Sequence, residues 1–182
     1  MRVGTESNGV KRRGRRAVAW AGVLALVFVA GTFLAPVLVG GGSVWGAMLH
    51  LLYAPLCHQM PERSLSIGAG TQAVCARCAG LYLGGVAGLW IGALLLQRSR
   101  LRPRPLWLAV AIAPTLIDFA LSWLGLPSLT NVPRLVLALP AGVVAALFLA
   151  VGIEDLFSRT SRIRLRDPFV HQNSRAVEET DG

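Results

Sequence analysis

Residues 17–39 read AVAWAGVLALVFVAGTFLAPVLV, 23 positions without a charged side chain. At about 1.5 Å of rise per residue, roughly 20 such residues cross a hydrocarbon core of about 30 Å, so the stretch reads as a transmembrane helix. The rest of the chain agrees. Apolar residues make up 54% of the 182 positions and charged ones 15%, with a mean hydropathy of +0.57, too apolar for an ordinary water-soluble domain. Three more apolar runs follow, Ala79–Leu96, Leu106–Leu126 and Leu135–Val151. The last two contain Pro114 and Pro140, which membrane helices tolerate because neighbouring groups satisfy the freed carbonyls. Asp118 is the one charge inside these runs. The expected fold is therefore all-α: a polytopic integral membrane protein with four transmembrane helices over residues 17–156. A basic segment, residues 1–16, precedes it, and a polar, partly disordered tail, residues 157–182, follows.

Val44–Leu56 is apolar but only 13 residues long, the length of an interfacial or re-entrant piece. On a helix, His50, Tyr53 and Cys57 share one face, so this segment can carry Cys57 toward a common site. His50 itself reads most simply as a polar residue at headgroup level.

The net charge of +9 and pI near 11.2 would suggest nucleic acid in a soluble protein. Here topology explains the charge. Lys11, Arg12, Arg13, Arg15 and Arg16 precede the first span. Arg98, Arg100, Arg102 and Arg104 join the second to the third, and Arg159, Arg162, Arg164 and Arg166 follow the fourth. All three groups fall on one side of a four-span chain, which the positive-inside rule makes cytoplasmic. Both termini are then expected inside a cell membrane and the loop of residues 40–78 outside. The arginines are candidates for anionic-lipid contact, worth about 1 kcal/mol each near the surface. No aromatic residues interleave with them, so nucleic acid is not an expected partner. A basic start before an apolar run also fits a signal peptide cut near Gly40-Gly41-Gly42, but this run exceeds the usual signal core of about 7–15 residues.

The chemistry is concentrated in the outer loop. All three cysteines occur within 22 residues, as Cys57-His58-Gln59-x-Pro61-Glu62-Arg63-Ser64 and Cys75-Ala76-Arg77-Cys78. A Cys-x-x-Cys knuckle offers two thiolates from one turn, and Cys57 with His58 can complete a Cys3His set for zinc. Adjacent residues ligate one ion only across a sharp turn, so one of Cys57 and His58 can instead support the site or move a proton. Arg63 and Arg77 are expected to lower the neighbouring thiol pKa values. Two other readings stand beside zinc. One is a thiol–disulfide oxidoreductase passing electrons to quinone, with Cys75 and Cys78 as the exchanging pair. The other is a non-catalytic, metal- or disulfide-stabilised membrane interaction protein.

Asp118, some 12 Å deep in the third run, marks a functional site by default and needs a cationic partner, with Arg134, Arg77 and Arg63 available. Gly80, Gly84, Gly88 and Gly92 form a bare stripe on the second run, suited to close packing in the bundle or, less simply, to a homodimer. Ser64, Ser66 and Thr71 share the cysteine loop, yet neither a Gly-x-Ser-x-Gly elbow nor a His-Glu-x-x-His helix occurs, which argues against serine and zincin hydrolases. Glu62, following a proline in an exposed loop, reads as solvated.

The two cysteine motifs, with Val74 through Gly84, resemble a family of small prokaryotic membrane proteins catalogued as domain of unknown function 2085. Ile117-Asp118, Thr130-Asn131 and Arg134 correspond to that family's later polar positions, so the resemblance spans roughly residues 45 to 145. It implies a shared site built from Cys57, His58, Arg63, Cys75, Arg77, Cys78, Asp118, Asn131 and Arg134, and it implies no particular reaction. If that site is catalytic, zinc-polarised water acting on a membrane-embedded substrate is the expected chemistry, with Asp118, His58 and Arg134 as catalytic groups. Arg63, Arg77 and Asn131 would then support the bound group.

Overall fold

The computed structural model describes residues 3–95, 103–126 and 129–166. Five helices and one hairpin occur in the order α1 (Val3–Gly40), α2 (Val44–Tyr53), β1 (Ser64–Ile67), β2 (Gly70–Cys75), α3 (Ala76–Leu95), α4 (Pro105–Trp123) and α5 (Asn131–Arg166). Four of them, α1, α3, α4 and α5, are long and apolar enough to cross a bilayer. Each satisfies its backbone internally, as hydrocarbon demands. The chain is thus a multi-pass membrane protein, and its four spans bring the start of α1 and the end of α5 to one end of the bundle. We call this the terminal end and its opposite the hairpin end.

The helix pair α3 and α5 forms the spine, and glycine makes it possible. A Cβ on Gly80, Gly84 or Gly88 would run into the carbonyl oxygens of Leu135, Leu139 or Val143, and one on Gly142 into that of Leu81. The two backbones therefore lie against each other, with Ala138, Ala146 and Ala150 in the remaining gaps. The stripe of Gly80, Gly84, Gly88 and Gly92 thus packs within the bundle, against α5. Helix α1 packs beside this pair, burying Val18, Thr32 and Ala35 completely, and so is an integral part of the bundle. Helix α4 touches mainly α5 and exposes Leu106, Val110, Leu116, Ile117, Phe119 and Trp123, a surface suited to lipid.

The interfacial piece is helix α2. It exposes Val44, Trp45, Met48, Leu51 and Leu52, while Gly46 fits against Val39 of α1 and Tyr53 is buried. A 10-residue helix with that apolar outer side lies at the membrane boundary rather than across it.

The loop of residues 40–78 holds structure that the sequence pattern concealed. Strands β1 and β2 pair antiparallel, Ser64 with Cys75, Ser66 with Thr71 and Ile67 with Gly70, with an irregularity between Ser64 and Ser66. Gly68 takes the positive φ of 61° that the tight turn requires. Gly70 then sits on the backbone of Pro36, where a Cβ would collide, and this contact seats the hairpin on α1.

Helix limits also differ from the expected ones. Helix α3 begins at Ala76 rather than Ala79, so Cys78 belongs to its first turn. Helix α5 starts at Asn131 and continues to Arg166, well beyond Val151. Arg98, Arg100, Arg102 and the tail from Asp167 lie outside the described residues.

Candidate functional site

Three elements deliver the thiols. The backbone after α2 tightens, with the amides of Leu56 and Cys57 both donating to the Tyr53 carbonyl. That turn directs Cys57 inward, where it is buried. Strand β2 ends at Cys75, and α3 places Cys78 one turn further on. The Sγ atoms of Cys57, Cys75 and Cys78 lie within 4.8 Å of one another. All three thiols are free. Four-coordinate zinc with bonds near 2.3 Å holds its sulfurs about 3.8 Å apart, so the set lies within about 1 Å of ligating separations.

The backbone N–H of Cys75 donates to Cys57 Sγ at 3.1 Å. Cys75 stands at the start of α3, whose dipole favours negative charge there. The Cys75 thiol is pulled down to about 5, first by its hydrogen bond with Cys78, against the opposing effect of burial, with help from nearby backbone amides and Cys57. The arginines expected to do this do not. The Arg77 guanidinium turns away to Asp118, and only its backbone amide serves Cys75.

His58 is not in the cluster. Gln59, the next residue, has φ 52°, a conformation uncommon outside glycine, and its side-chain amide donates to the His50 carbonyl at 2.6 Å. With the backbone fixed in this way, Cys57 points in and His58 is exposed. Among the described residues the converging donors are therefore three thiols, not Cys3His. His50 contributes a carbonyl to the turn.

A second, charged network lies beside the thiols. Asp118 on α4 is 3% exposed and is held from three directions. Arg77 Nε donates to Oδ2 at 2.8 Å and its second nitrogen joins the same oxygen; Arg134 lies 3.3 Å from that oxygen; the backbone N–H of Leu129 donates to Oδ1 at 3.1 Å. Both guanidiniums also donate to Ser122 Oγ, at 3.0 and 3.3 Å, and Arg77 sits over the Phe119 ring. The buried carboxylate thus joins α3, α4 and α5 in one polar clamp. Because α4 ends at Trp123, Asp118 lies five residues from its end, shallower than the sequence implied. Both of its oxygens are engaged, which suits positioning better than proton transfer. Asn131 closes the arrangement, donating to the carbonyls of Glu62 and Ser64 at 3.2 and 2.9 Å and so tying the approach to the hairpin to the first turn of α5. Among the described residues, neither the Asp118 clamp nor the thiol cluster includes Arg63, and Glu62 is exposed.

Sequence reasoning passed over Ser122 and Tyr82. Ser122 follows Asp118 by four residues and Tyr82 follows Cys78 by four, so helical spacing alone places each beside a group already singled out. The Tyr82 and Tyr53 rings both pack edge-on against Phe28, and the Tyr53 hydroxyl donates to the Phe28 carbonyl at 2.7 Å. These three rings form the floor of the thiol cluster.

Residues 57–148 match the family described as predicted membrane protein (DUF2085). Cys57, Cys75, Arg77, Cys78, Asp118, Asn131 and Arg134 all lie within that stretch. An uncharacterized protein of Methanocaldococcus jannaschii is 30% identical over 131 residues, covering 68% of this chain and 84% of its own. An uncharacterized protein of Methanothermobacter thermautotrophicus is 31% identical over 104 residues, 57% of this chain and 93% of its own. No solved structure matches.

Proposed function

The chain belongs to the DUF2085 family of predicted membrane proteins, and from that premise we propose that its hairpin end is a zinc site on the outer face of the membrane, formed by Cys57, Cys75 and Cys78. The observation that carries this is the convergence of three free thiols from two separate motifs within 4.8 Å. Thiolate sets of this kind select zinc, copper(I) or iron–sulfur clusters. Charge favours a divalent ion. Three thiolates and the Asp118 carboxylate exceed the Arg77 and Arg134 guanidiniums by two negative charges, which zinc balances and copper(I) does not.

Three protein ligands leave a fourth position for water or substrate, the arrangement of catalytic rather than purely structural zinc. Held by Cys57, Cys75 and Cys78, zinc would supply Lewis-acid polarisation of water or a carbonyl oxygen. The chain's own part is to set the thiols, to keep the floor apolar with Phe28, Tyr53 and Tyr82, and to fix α3, α4 and α5 through Asp118. His58, exposed and next in sequence to Cys57, is the group to which this reading assigns proton exchange. Membrane position favours a substrate that is itself embedded in the bilayer. The basic residues at the terminal end support a cytoplasmic placement for both termini.

A redox reading rests on one distinct observation: Cys75 and Cys78 bracket the start of a helix with the Cys75 thiol lowered to about 5. In that case the pair would exchange a disulfide and quinone would be the electron acceptor. Elemental analysis with thiol titration, on protein purified in mild detergent without chelator, separates the two. One zinc per chain, released as three thiols become titratable, is the expected result. Metal-free protein with two thiols oxidised would overturn it in favour of redox chemistry.

A further inference from the structure

An apolar groove of about 290 Å³ opens between α1, α3 and α5, lined among others by Phe28, Tyr82, Gly85, Leu89, Gly142 and Leu149. It lies within helices of spanning length, so its surroundings are hydrocarbon, and its lining offers essentially no polar surface. An apolar groove open to hydrocarbon takes up apolar chains, since burying polar groups there would cost free energy. Its volume is at the low end of the roughly 300–1,000 Å³ of small-molecule sites, room for one hydrocarbon chain rather than a whole lipid.

The groove abuts the thiol site across the Phe28 and Tyr82 rings. Tyr82 lines it and lies one helical turn from Cys78, and Phe28 and Tyr82 form both the groove's upper end and the floor of the thiol cluster. From Tyr82 to Leu89 the groove runs down α3 for about 10 Å. We propose that it binds one hydrocarbon tail of a membrane lipid from the leaflet on the hairpin side, presenting that lipid's polar end to the thiol site. This deepens the zinc reading and rests on it only for what happens at the polar end. The substrate class it assigns is a long-chain lipid altered at or near its headgroup.

Gly85 provides the test. A Cβ there meets nothing within 4 Å, so Gly85→Leu fills the groove without separating α3 from α5. Leu149→Trp narrows the same groove from α5, at a position already 55% exposed. Protein in liposomes is irradiated with a phosphatidylglycerol carrying a photoreactive diazirine either at the end of one acyl chain or next to the headgroup, and labelled residues are mapped by mass spectrometry. The chain-end probe is expected to label Leu89 and Leu149, and the headgroup-proximal probe Phe28 and Tyr82. Both signals should fall several-fold in Gly85→Leu and Leu149→Trp, with labelling of Leu116 and Ile117 on α4 unchanged. Groove labelling no stronger than that of α4, labelling insensitive to both variants, or the reverse depth order would overturn the proposal. Zinc content and unfolding midpoint are measured on the same samples. Groove labelling without zinc would overturn the metal reading alone, whereas zinc without groove labelling would overturn this inference alone.

Discussion

Cys57 is the residue on which the site depends most simply, because it alone comes from outside the Cys-x-x-Cys turn and its sulfur already accepts the Cys75 amide. Cys57→Ala should abolish stoichiometric zinc, while His58→Ala, which removes a side chain outside the thiol cluster, should retain one equivalent. Loss of zinc from His58→Ala would restore the Cys3His set. Asp118 belongs to a different class. Replacing it with Asn leaves two guanidiniums in a buried site without their anion, and breaking such a pair costs about 3–5 kcal/mol. Asp118→Asn should therefore lower the unfolding midpoint in detergent markedly, yet the fraction that remains folded should still hold zinc; stable, zinc-free protein would make Asp118 part of the metal site itself. The cysteines were legible in the sequence because their spacing is chemical. The outward turn of His58 was not, since it follows from the left-handed backbone of Gln59 and a hydrogen bond to the His50 carbonyl nine residues back. Arg77 was legible as important but not in direction: only the fold shows that its charge goes to Asp118 and its amide to Cys75.

Between elements, two neighbouring glycines of α3 have opposite roles. Gly84 faces α5, and a methyl group there meets the Leu139 carbonyl and the Val143 amide; Gly85 faces the open groove. Overpacking of a close helix contact costs typically 1–3 kcal/mol, so Gly84→Ala should lower the unfolding midpoint clearly. Gly85→Ala, with open space around its Cβ, should remain near wild type, within about 0.5 kcal/mol. Equal effects at the two positions would contradict the packing of α3 on α5. The four-residue glycine spacing was readable as a packing face, but not which helix fills it, because a stripe of small residues suits a partner from the same chain or another. The hairpin was harder to read. Strand β2 buries Gln72, Ala73 and Val74 in succession, so the alternation that marks a half-exposed strand is missing. The glycines that turn and seat it, Gly68 and Gly70, look like loop residues until Pro36 is seen beneath.

For the molecule as a whole, the outstanding question is which side of the membrane the thiol site faces. Parity is fixed by the four spans, which put the start of α1 and the end of α5 at one end of the bundle and the hairpin at the other. Direction is predicted from charge. At the terminal end Arg12, Arg13, Arg16, Arg104 and Arg159 are exposed, whereas the described residues of the hairpin end carry fewer arginines, Arg63, Arg77 and Arg134, the last two drawn into the Asp118 clamp. Lysine and arginine in short flanking segments are retained on the cytoplasmic side. A C-terminal fusion to green fluorescent protein should therefore fluoresce, and the same fusion to alkaline phosphatase, which needs an oxidising compartment, should be inactive. An active phosphatase would turn the bundle over and place the three thiols in the reducing cytoplasm, where a disulfide cycle loses its setting and a metal becomes the more natural occupant. The expected orientation has the opposite consequence. It exposes free thiols to oxidation, so a site that keeps Cys57, Cys75 and Cys78 reduced there must have them bound, and zinc-depleted protein should form a disulfide on standing in air that the zinc-loaded protein resists. Equal rates of oxidation with and without zinc would remove the metal's protective role and favour the thiol pair as the working chemistry.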